Sequence, residues 1–387
     1  MNSFVAEWPQ DVFQKVVDAV AADRSRYTYA HTKRSRPPLP DDAQIRELIE
    51  TALRASLDRE EGRQADFSLV FCEPTEIDGM PFVTSEPFTA EALRRLMPSA
   101  DSEVDGIAVS AGESGLQIWG IAERREDAVV IRAIAPGRVM ACFGGSTIAR
   151  FNGHTCSLLR VDRDQVLGMA AALLPEGDDP GNLVKMQFLW GLGMIMRGFG
   201  HGGTIVVLNG TPVPGTVEGG RDLRSLDVLT RKARPAIEEL KQVIESDQQS
   251  ASVSIGDVGV LHDLQGGGLA TGELGELFRK IGRLTLVDGA LVLDQGFAVL
   301  TAGAKLYGSA AVDTWWAWEP ELPEWNKEEG SDGRFEGTRH SSALRFVAAN
   351  PGTVALVCSQ DGVLTFVGCP AGSDAPRIMK NLDLILT

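Results

Sequence analysis

Between residues 66 and 157 apolar side chains alternate with others in runs over 67–72, 106–110, 116–122, 128–135 and 139–143, separated by Gly, Asp and Glu turns. A period of two puts alternate side chains on one face of a strand, and short polar spacers join neighbours antiparallel, so the stretch is read as a meander. One apolar sheet face needs a covering layer, and the preceding segment supplies it. Val12, Phe13, Val16, Val17 and Val20 form one helical face. Pro37, Pro38 and Pro40 break that helix. Asp41-Asp42 then caps a second helix that buries Ile45, Leu48, Ile49 and Leu53. A short helix over 91–97 interrupts the strands. The whole reads as an α+β domain, with Trp119, in strand alternation, as a core or interface residue.

A chain of 387 residues is long for one domain. The Pro/Gly/Asp-rich stretch 174–181 is loop composition. The expected division is therefore 1–180, a regulatory or sensory α+β domain, and 181–387. In the second part a helical run over 182–198 leads through Gly200-His201-Gly202-Gly203 into a strand over 204–208. A Pro/Gly-rich loop (211–220), a charged helical segment (221–248) and a polar bend (246–252) follow. Then come a helix over 271–282, strands over 284–293 and 297–301, a helix over 341–349, and strands over 353–359 and 362–367.

Charge narrows the function classes. With 37 Lys and Arg against 53 Asp and Glu the formal charge is −16. That surface repels nucleic-acid phosphates and anionic lipid, so neither nucleic acid nor membrane is an expected partner. The five cysteines form no CxxC pair, which fits a reduced compartment. The first residues show no basic segment followed by an apolar run, and no apolar stretch approaches the ~20 residues a bilayer requires. A cytoplasmic location is expected.

Few motifs survive inspection. Gly198–Gly203 matches G-x-G-x-x-G, but with the helix before and the strand after it, the reverse of a dinucleotide-binding turn. P-loop, zincin and hydrolase-elbow signatures are absent. His31, His154 and His262 stand alone. Two segments place polar groups where strands or helices begin. Asp288-Gly289-Ala290 interrupts an apolar run, where a carboxylate is costly unless it binds a cation or accepts hydrogen bonds; a strand-edge bulge explains the same residues equally well. Gly337-Thr338-Arg339-His340 opens a helix, with Thr338 a natural N-cap, Arg339 a planar fork for phosphate oxygens, and His340 a donor or proton shuttle.

Taken with Ala302-Gly303-Ala304-Lys305-Leu306, these segments resemble the ordered D-G-A, A-G-A-x-L and G-T-R-H-R motifs of diadenylate cyclase domains, over roughly residues 185–370. Leu274-Gly275-Glu276-Leu277 is similar to that family's approach to its D-G-A strand, and His201–Val207 to its first core strand. The resemblance implies an α/β fold: a mixed sheet flanked by helices, preceded here by the α+β domain. It implies ATP bound in paired, facing domains of a homo-oligomer, each 3′-hydroxyl attacking the partner's α-phosphate to give cyclic di-AMP with Mg²⁺ or Mn²⁺. By that resemblance Asp288, Thr338, Arg339 and His340 form the catalytic set. Gly289, Ala290, Leu306, Gly337 and Ser359 lie against the nucleotide, and Asp288 and Asp361 hold the metal.

The chain departs from this pattern at two points. The second arginine of R-H-R is Ser341, and an acid of the family's S-E-E-T-G is an amide, Gln360. A charge-assisted hydrogen bond contributes about 1.5–3 kcal/mol, so losing one arginine costs about ten- to a hundredfold in transition-state stabilisation. Arg345 replaces it only if it points back to the site. The segment 313–336, with Trp315, Trp316, Trp318 and Trp325 among acids, is expected to be a lid or, preferably, a docking surface for an effector partner. The reading that follows is a nucleotide sensor or signalling module that binds ATP or a related adenine nucleotide, with an active diadenylate cyclase as the alternative.

Overall fold

The computed structural model describes residues 8, 11–26, 37–57, 67–74, 79–100, 105–113, 115–125, 127–144, 146–153, 155–159, 163–174, 181–222, 279–308, 312–320, 322–330, 337–360 and 362–384. The chain divides into two units, at Asp162/Arg163 rather than at the 174–181 loop. The reason is local: the helix Arg163–Ala171 packs on the helix Gly181–Gly198, so both sit in the second unit.

In the first unit, helices α1 (Val12–Arg26), α2 (Asp42–Leu57) and α3 (Ala90–Leu96) accompany one sheet. Its strands are β1 (Phe67–Phe71), β2 (Gly79–Pro87), β3 (Asp105–Gly112), β4 (Gly115–Glu123), β5 (Val129–Ala135), β6 (Arg138–Phe143), β7 (Ser146–Asn152) and β8 (Thr155–Leu158). Asp41 caps α2 reciprocally with Gln44: the Gln44 N–H donates to Asp41 Oδ1 (2.8 Å) and the Asp41 N–H to Gln44 Oε1 (2.9 Å). The stripe Ile45, Leu48, Ile49 and Leu53 is buried against Phe67, Leu69, Ile131 and Val139 of the sheet. Trp119 is a core residue, 3% exposed, its indole N–H donating to the Cys72 carbonyl at 2.8 Å.

The sheet is not the simple meander expected. Its order is β2-β4-β3-β1-β5-β6-β7-β8, and β1 pairs with β3 in parallel. The connection from β1 to β3 carries both β2 and α3, which gives it the length a parallel crossover requires. The sheet is therefore mixed, and the unit includes strands β2, β7 and β8 that periodicity did not reveal.

The second unit contains α4 (Arg163–Ala171), α5 (Gly181–Gly198) and α6 (Thr338–Ala349). Its strands are β9 (Gly203–Val207), β10 (Val217–Asp222), β11 (Ala290–Leu293), β12 (Val299–Leu306), β13 (Thr314–Glu319), β14 (Leu322–Glu329), β15 (Val354–Cys358), β16 (Leu364–Gly368) and β17 (Arg377–Met379). They form one sheet, β10-β12-β11-β9-β15-β16-β17-β13-β14, with parallel pairs β9/β11 and β13/β17 and antiparallel pairs elsewhere. Helices cover both faces. Gly193 of α5 lies against Leu356 and Leu364, whereas α6 packs Ala343, Leu344, Phe346 and Val347 on Val206, Ala355, Val357 and Val367, residues of opposite parity. Every residue of the central strands β9, β11, β15 and β16 is consequently buried, which is why they read as continuous apolar runs. Both units are α/β in composition with mixed sheets.

Three expected elements change. The strand over 284–293 is a 3₁₀ turn, Leu284–Leu286, followed by a break at Asp288-Gly289 and only four strand residues. The Trp-rich segment expected as a lid or docking surface is the β13–β14 hairpin, which extends the sheet through β17. Trp315 and Trp318 fill the interior at 4% and 1% exposure. The Trp315 indole donates to Glu328 Oε2 (2.9 Å), and Lys380 Nζ reaches Glu328 Oε1 at 3.0 Å. Residues 221–222 belong to β10. The rest of the expected 221–248 helix, the bend at 246–252, residues 271–278, and His31, His154 and His262 lie outside the described residues. Among the described residues no helix is long and apolar enough to cross a membrane.

Candidate functional site

Asp288, Gly289 and Arg339, far apart in sequence, line one cleft of the second unit, about 250 Å³ in volume. His201, Gly202, Gly203, Thr285 and Gln360 complete its polar and backbone lining. The fold assembles these groups at one end of the central strands. His201 and Gly202 enter β9, Asp288 and Gly289 enter β11, Arg339 sits in the first turn of α6, and Gln360 turns from β15 to β16.

The D-G-A and A-G-A motifs explain each other. Ala290 pairs with Ala304 and Leu291 with Ala302, leaving Gly303 as the extra residue of a bulge. Gly289 has φ +118°, and a Cβ there would lie 2.5 Å from the Gly303 carbonyl carbon. A Cβ on Gly303, at φ +75°, would lie 2.8 Å from Val287 Cγ1 and 3.2 Å from the Asp288 carbonyl oxygen. Two glycines back to back let the β11 chain turn out of the sheet and leave Asp288 exposed at the cleft. Strand bulge and site are thus one feature.

At α6 the cap differs from expectation. Gly337, at φ +92°, is the N-cap and has no side-chain hydrogen bond to give; Thr338 is the first helical residue and is exposed. Glycine tolerates both the cap position and the positive φ. His340 turns inward at 7% exposure. Burial, and then the adjacent Arg339 charge, push its imidazole below the usual 6.5, so it is neutral near pH 7.

The other expected site residues sit elsewhere. Ala290 is a buried strand residue and Leu306 the end of β12, packed at the edge of the α6 core. Ser359 holds the β15–β16 turn, its Oγ accepting from the Val363 N–H at 3.0 Å and its carbonyl from the Gly362 N–H at 3.1 Å. Its neighbour Gln360, noted in the sequence only as a replaced acid, lines the cleft. Asp361 lies outside the described residues. Ser341 and Arg345 are absent from the cleft lining; the Cβ and carbonyl of Arg345 lie against Gly308, within 2.5 Å of where a Cβ would stand there. His201 was missed because its segment was read as a reversed dinucleotide turn and, by resemblance, as the start of a core strand, neither of which gives the imidazole a role.

Among the described residues no group of three or more His, Cys, Asp or Glu could hold a metal ion. One carboxylate, Asp288, stands on the cleft. Magnesium is commonly held by one or two carboxylates with substrate phosphates and water. The donor set therefore fits an ion that arrives with a phosphorylated ligand, and does not fit a cage built by protein alone.

The first unit has its own cleft, about 340 Å³, between one stripe of α2 (Arg46, Glu47, Glu50, Arg54) and Phe88-Thr89. Its charges are largely engaged: Arg54 pairs with Glu50 at 3.0 Å, and the Arg46 guanidinium stacks 4.5 Å over the Phe13 ring.

Residues 34–123 match the family model of DACNV, described as a probable sensor domain. The match spans α2, α3 and β1–β4 of the first unit, including the whole lining of the α2 cleft. It is a family other than the diadenylate cyclase domain itself, and it lies outside the 185–370 stretch on which that resemblance was drawn. No curated protein matches the chain in sequence.

Proposed function

We propose that the second unit binds an adenine nucleotide in the cleft between Asp288 and Arg339, and that the chain serves as a nucleotide sensor or signalling module. The observation that carries this reading is the convergence of the Asp288-Gly289 and Arg339 segments on one cleft. A scaffold has no need of a guanidinium, a carboxylate and side-chain-free backbone at the same opening. Arg339 supplies a planar donor pair for phosphate oxygens, Asp288 a ligand for the Mg²⁺ or Mn²⁺ that would accompany them, and Gly289 backbone at the cleft that a flat ligand can approach. The similarity of residues 34–123 to a sensor domain supports a sensory role for the chain.

The second reading, an active diadenylate cyclase, draws on the same pairing of Asp288 with Arg339. Sensing is preferred because the described lining holds one arginine, with a serine at 341 and an amide at 360 where the cyclase motifs have an arginine and an acid. Phosphoryl transfer depends on positioning and charge neutralisation, and each lost contact costs about tenfold or more.

Incubating the full chain with ATP and Mn²⁺ separates the readings. A sensor shows a nucleotide-dependent rise in melting temperature, lost in Asp288→Ala, and no cyclic di-AMP by mass spectrometry. Cyclic di-AMP that disappears in Asp288→Ala makes the chain an enzyme. If neither ATP nor cyclic di-AMP shifts the melting temperature, the cleft is not a nucleotide site.

A further inference from the structure

We propose that His201 is the second oxyanion-binding side chain of this cleft, filling the place left by serine at 341, and that Gly202 is a positioning residue that seats Arg339 beside it. The inference rests on reading the cleft as a phosphate site. His201 is exposed on the turn between α5 and β9 and shares the lining with Arg339, Asp288 and Gln360. Gly202, at φ +65°, joins it directly to the guanidinium: a Cβ on residue 202 would lie 3.1 Å from Arg339 Nη1 and 2.8 Å from the Cys358 carbonyl oxygen. The Arg339 fork therefore passes over the side-chain-free position next to the imidazole, and both residues line the same cleft.

The other candidates for that role are placed otherwise. Ser341 is tied into the first turn of α6, its N–H donating to the Gly337 carbonyl at 3.0 Å, and is not part of the lining. Arg345 backs onto Gly308, and His340 is buried and neutral. Among the described residues that line the cleft, Arg339 and His201 are the basic side chains and Asp288 the acid; Gln360 adds a neutral amide, and the Thr285 hydroxyl donates to the Gly282 carbonyl at 2.6 Å. An imidazole donates one N–H when neutral and two when protonated, so His201 serves a phosphoryl oxygen in either state. The ligand class is a tetrahedral oxyanion: the dianionic terminal phosphate of the nucleotide or one of its singly charged bridging phosphates.

Sulfate is the probe of choice, because its charge is constant between pH 6 and 8; chloride at matched ionic strength is the control. Calorimetric titration of the full chain with sulfate, and separately with ATP and Mg²⁺, is compared for the wild type, His201→Ala, His201→Arg, Gly202→Ala and Arg339→Ala. His201→Ala is expected to weaken both ligands about three- to tenfold, below the full value of a charge-assisted bond because the group is exposed. His201→Arg is expected to restore or exceed wild-type binding, which a merely structural role for the turn would not do. Gly202→Ala is expected to behave as Arg339→Ala. Unchanged binding in His201→Ala, with loss in Arg339→Ala, overturns the inference and leaves the site standing. Wild-type protein that binds sulfate but not ATP refutes the nucleotide reading and leaves the His201 assignment to the sulfate series. Binding of neither overturns both. His201 lies on an exposed turn, so its variants remain decisive if Gly202→Ala fails to fold.

Discussion

Replacing Gly289 by alanine tests whether the back-to-back glycines build the cleft. Two costs are separable. The first is conformational: at φ +118° an L residue is strained by about 1–3 kcal/mol. The second is steric. The new methyl would meet the Gly303 carbonyl carbon at 2.5 Å, its oxygen at 2.7 Å and the Ala304 oxygen at 2.8 Å. All three are backbone atoms of a paired strand and cannot swing aside like a side chain, and overpacking of this kind costs about 1–3 kcal/mol. The sum is about 2–6 kcal/mol, concentrated on the β11–β12 pairing. Gly215→Ala is the control: its φ is +79°, but nothing lies within 4 Å of its added Cβ, so it carries the conformational cost alone. Urea unfolding read by hydrogen exchange of peptides spanning 290–306 reports the second unit without averaging over the first. Gly289→Ala should lose more protection than Gly215→Ala, by about 1–3 kcal/mol. Equal losses would show that Gly303 yields, and that the two motifs are not held together by backbone contact.

Burial lowers the His340 imidazole pKa, so the unfolded chain binds more protons than the folded one between the folded-state value and 6.5. The stability this contributes is complete above pH 6.5 and is lost as the pH falls through that window. Melting temperatures should fall between pH 7.5 and 5.5, and less steeply in His340→Asn; parallel slopes would refute the assignment. In the hairpin, Glu328 accepts from both the buried Trp315 indole and Lys380. Glu328→Ala removes the carboxylate to which that indole N–H and Lys380 donate and should cost about 1–2 kcal/mol by urea unfolding, whereas Glu329→Ala on the exposed side of the strand should be near neutral. Burial pushes the Cys156 thiol up to about 12. It should resist aromatic disulfide reagents in the native state and react only after unfolding; rapid native labelling at Cys156 would refute this.

What the sequence disclosed follows the strength of its physical signal. The central strands of the second unit were legible because burial on both faces leaves only apolar residues, and α2 was legible because its buried stripe repeats at helical spacing. Strand β2 was not, since nearly every residue from Gly79 to Pro87 is exposed and Pro81 and Pro87 read as loop. The Trp-rich hairpin was expected as a lid or docking surface and not as two strands of the sheet, because many acids lie among its aromatics. One of them, Glu328, is there to satisfy a buried indole, a tertiary partnership that no local period encodes. Thr338 was taken as a cap on propensity, but the positive φ before it admits only glycine with ease.

The same contrast governs the site. Asp288 and Arg339 were legible as candidates because they stand in segments that resemble ordered motifs of a known family. His201 and Gly202 were not, because their meaning depends on Arg339 reaching across from another element. Gly202 shows why that matters: besides its turn, whose φ of +65° favours glycine, its missing side chain leaves room for the Cys358 carbonyl oxygen, 2.8 Å from where a Cβ would stand, and for the Arg339 guanidinium at 3.1 Å. On the proposed reading, a cleft that holds the Asp288 carboxylate and the Arg339 guanidinium at one opening offers a phosphate a partly preorganised place. With a single arginine among its described lining, that preorganisation supports binding more readily than it supports the charge neutralisation of phosphoryl transfer, which is the physical ground for reading the second unit as a sensor.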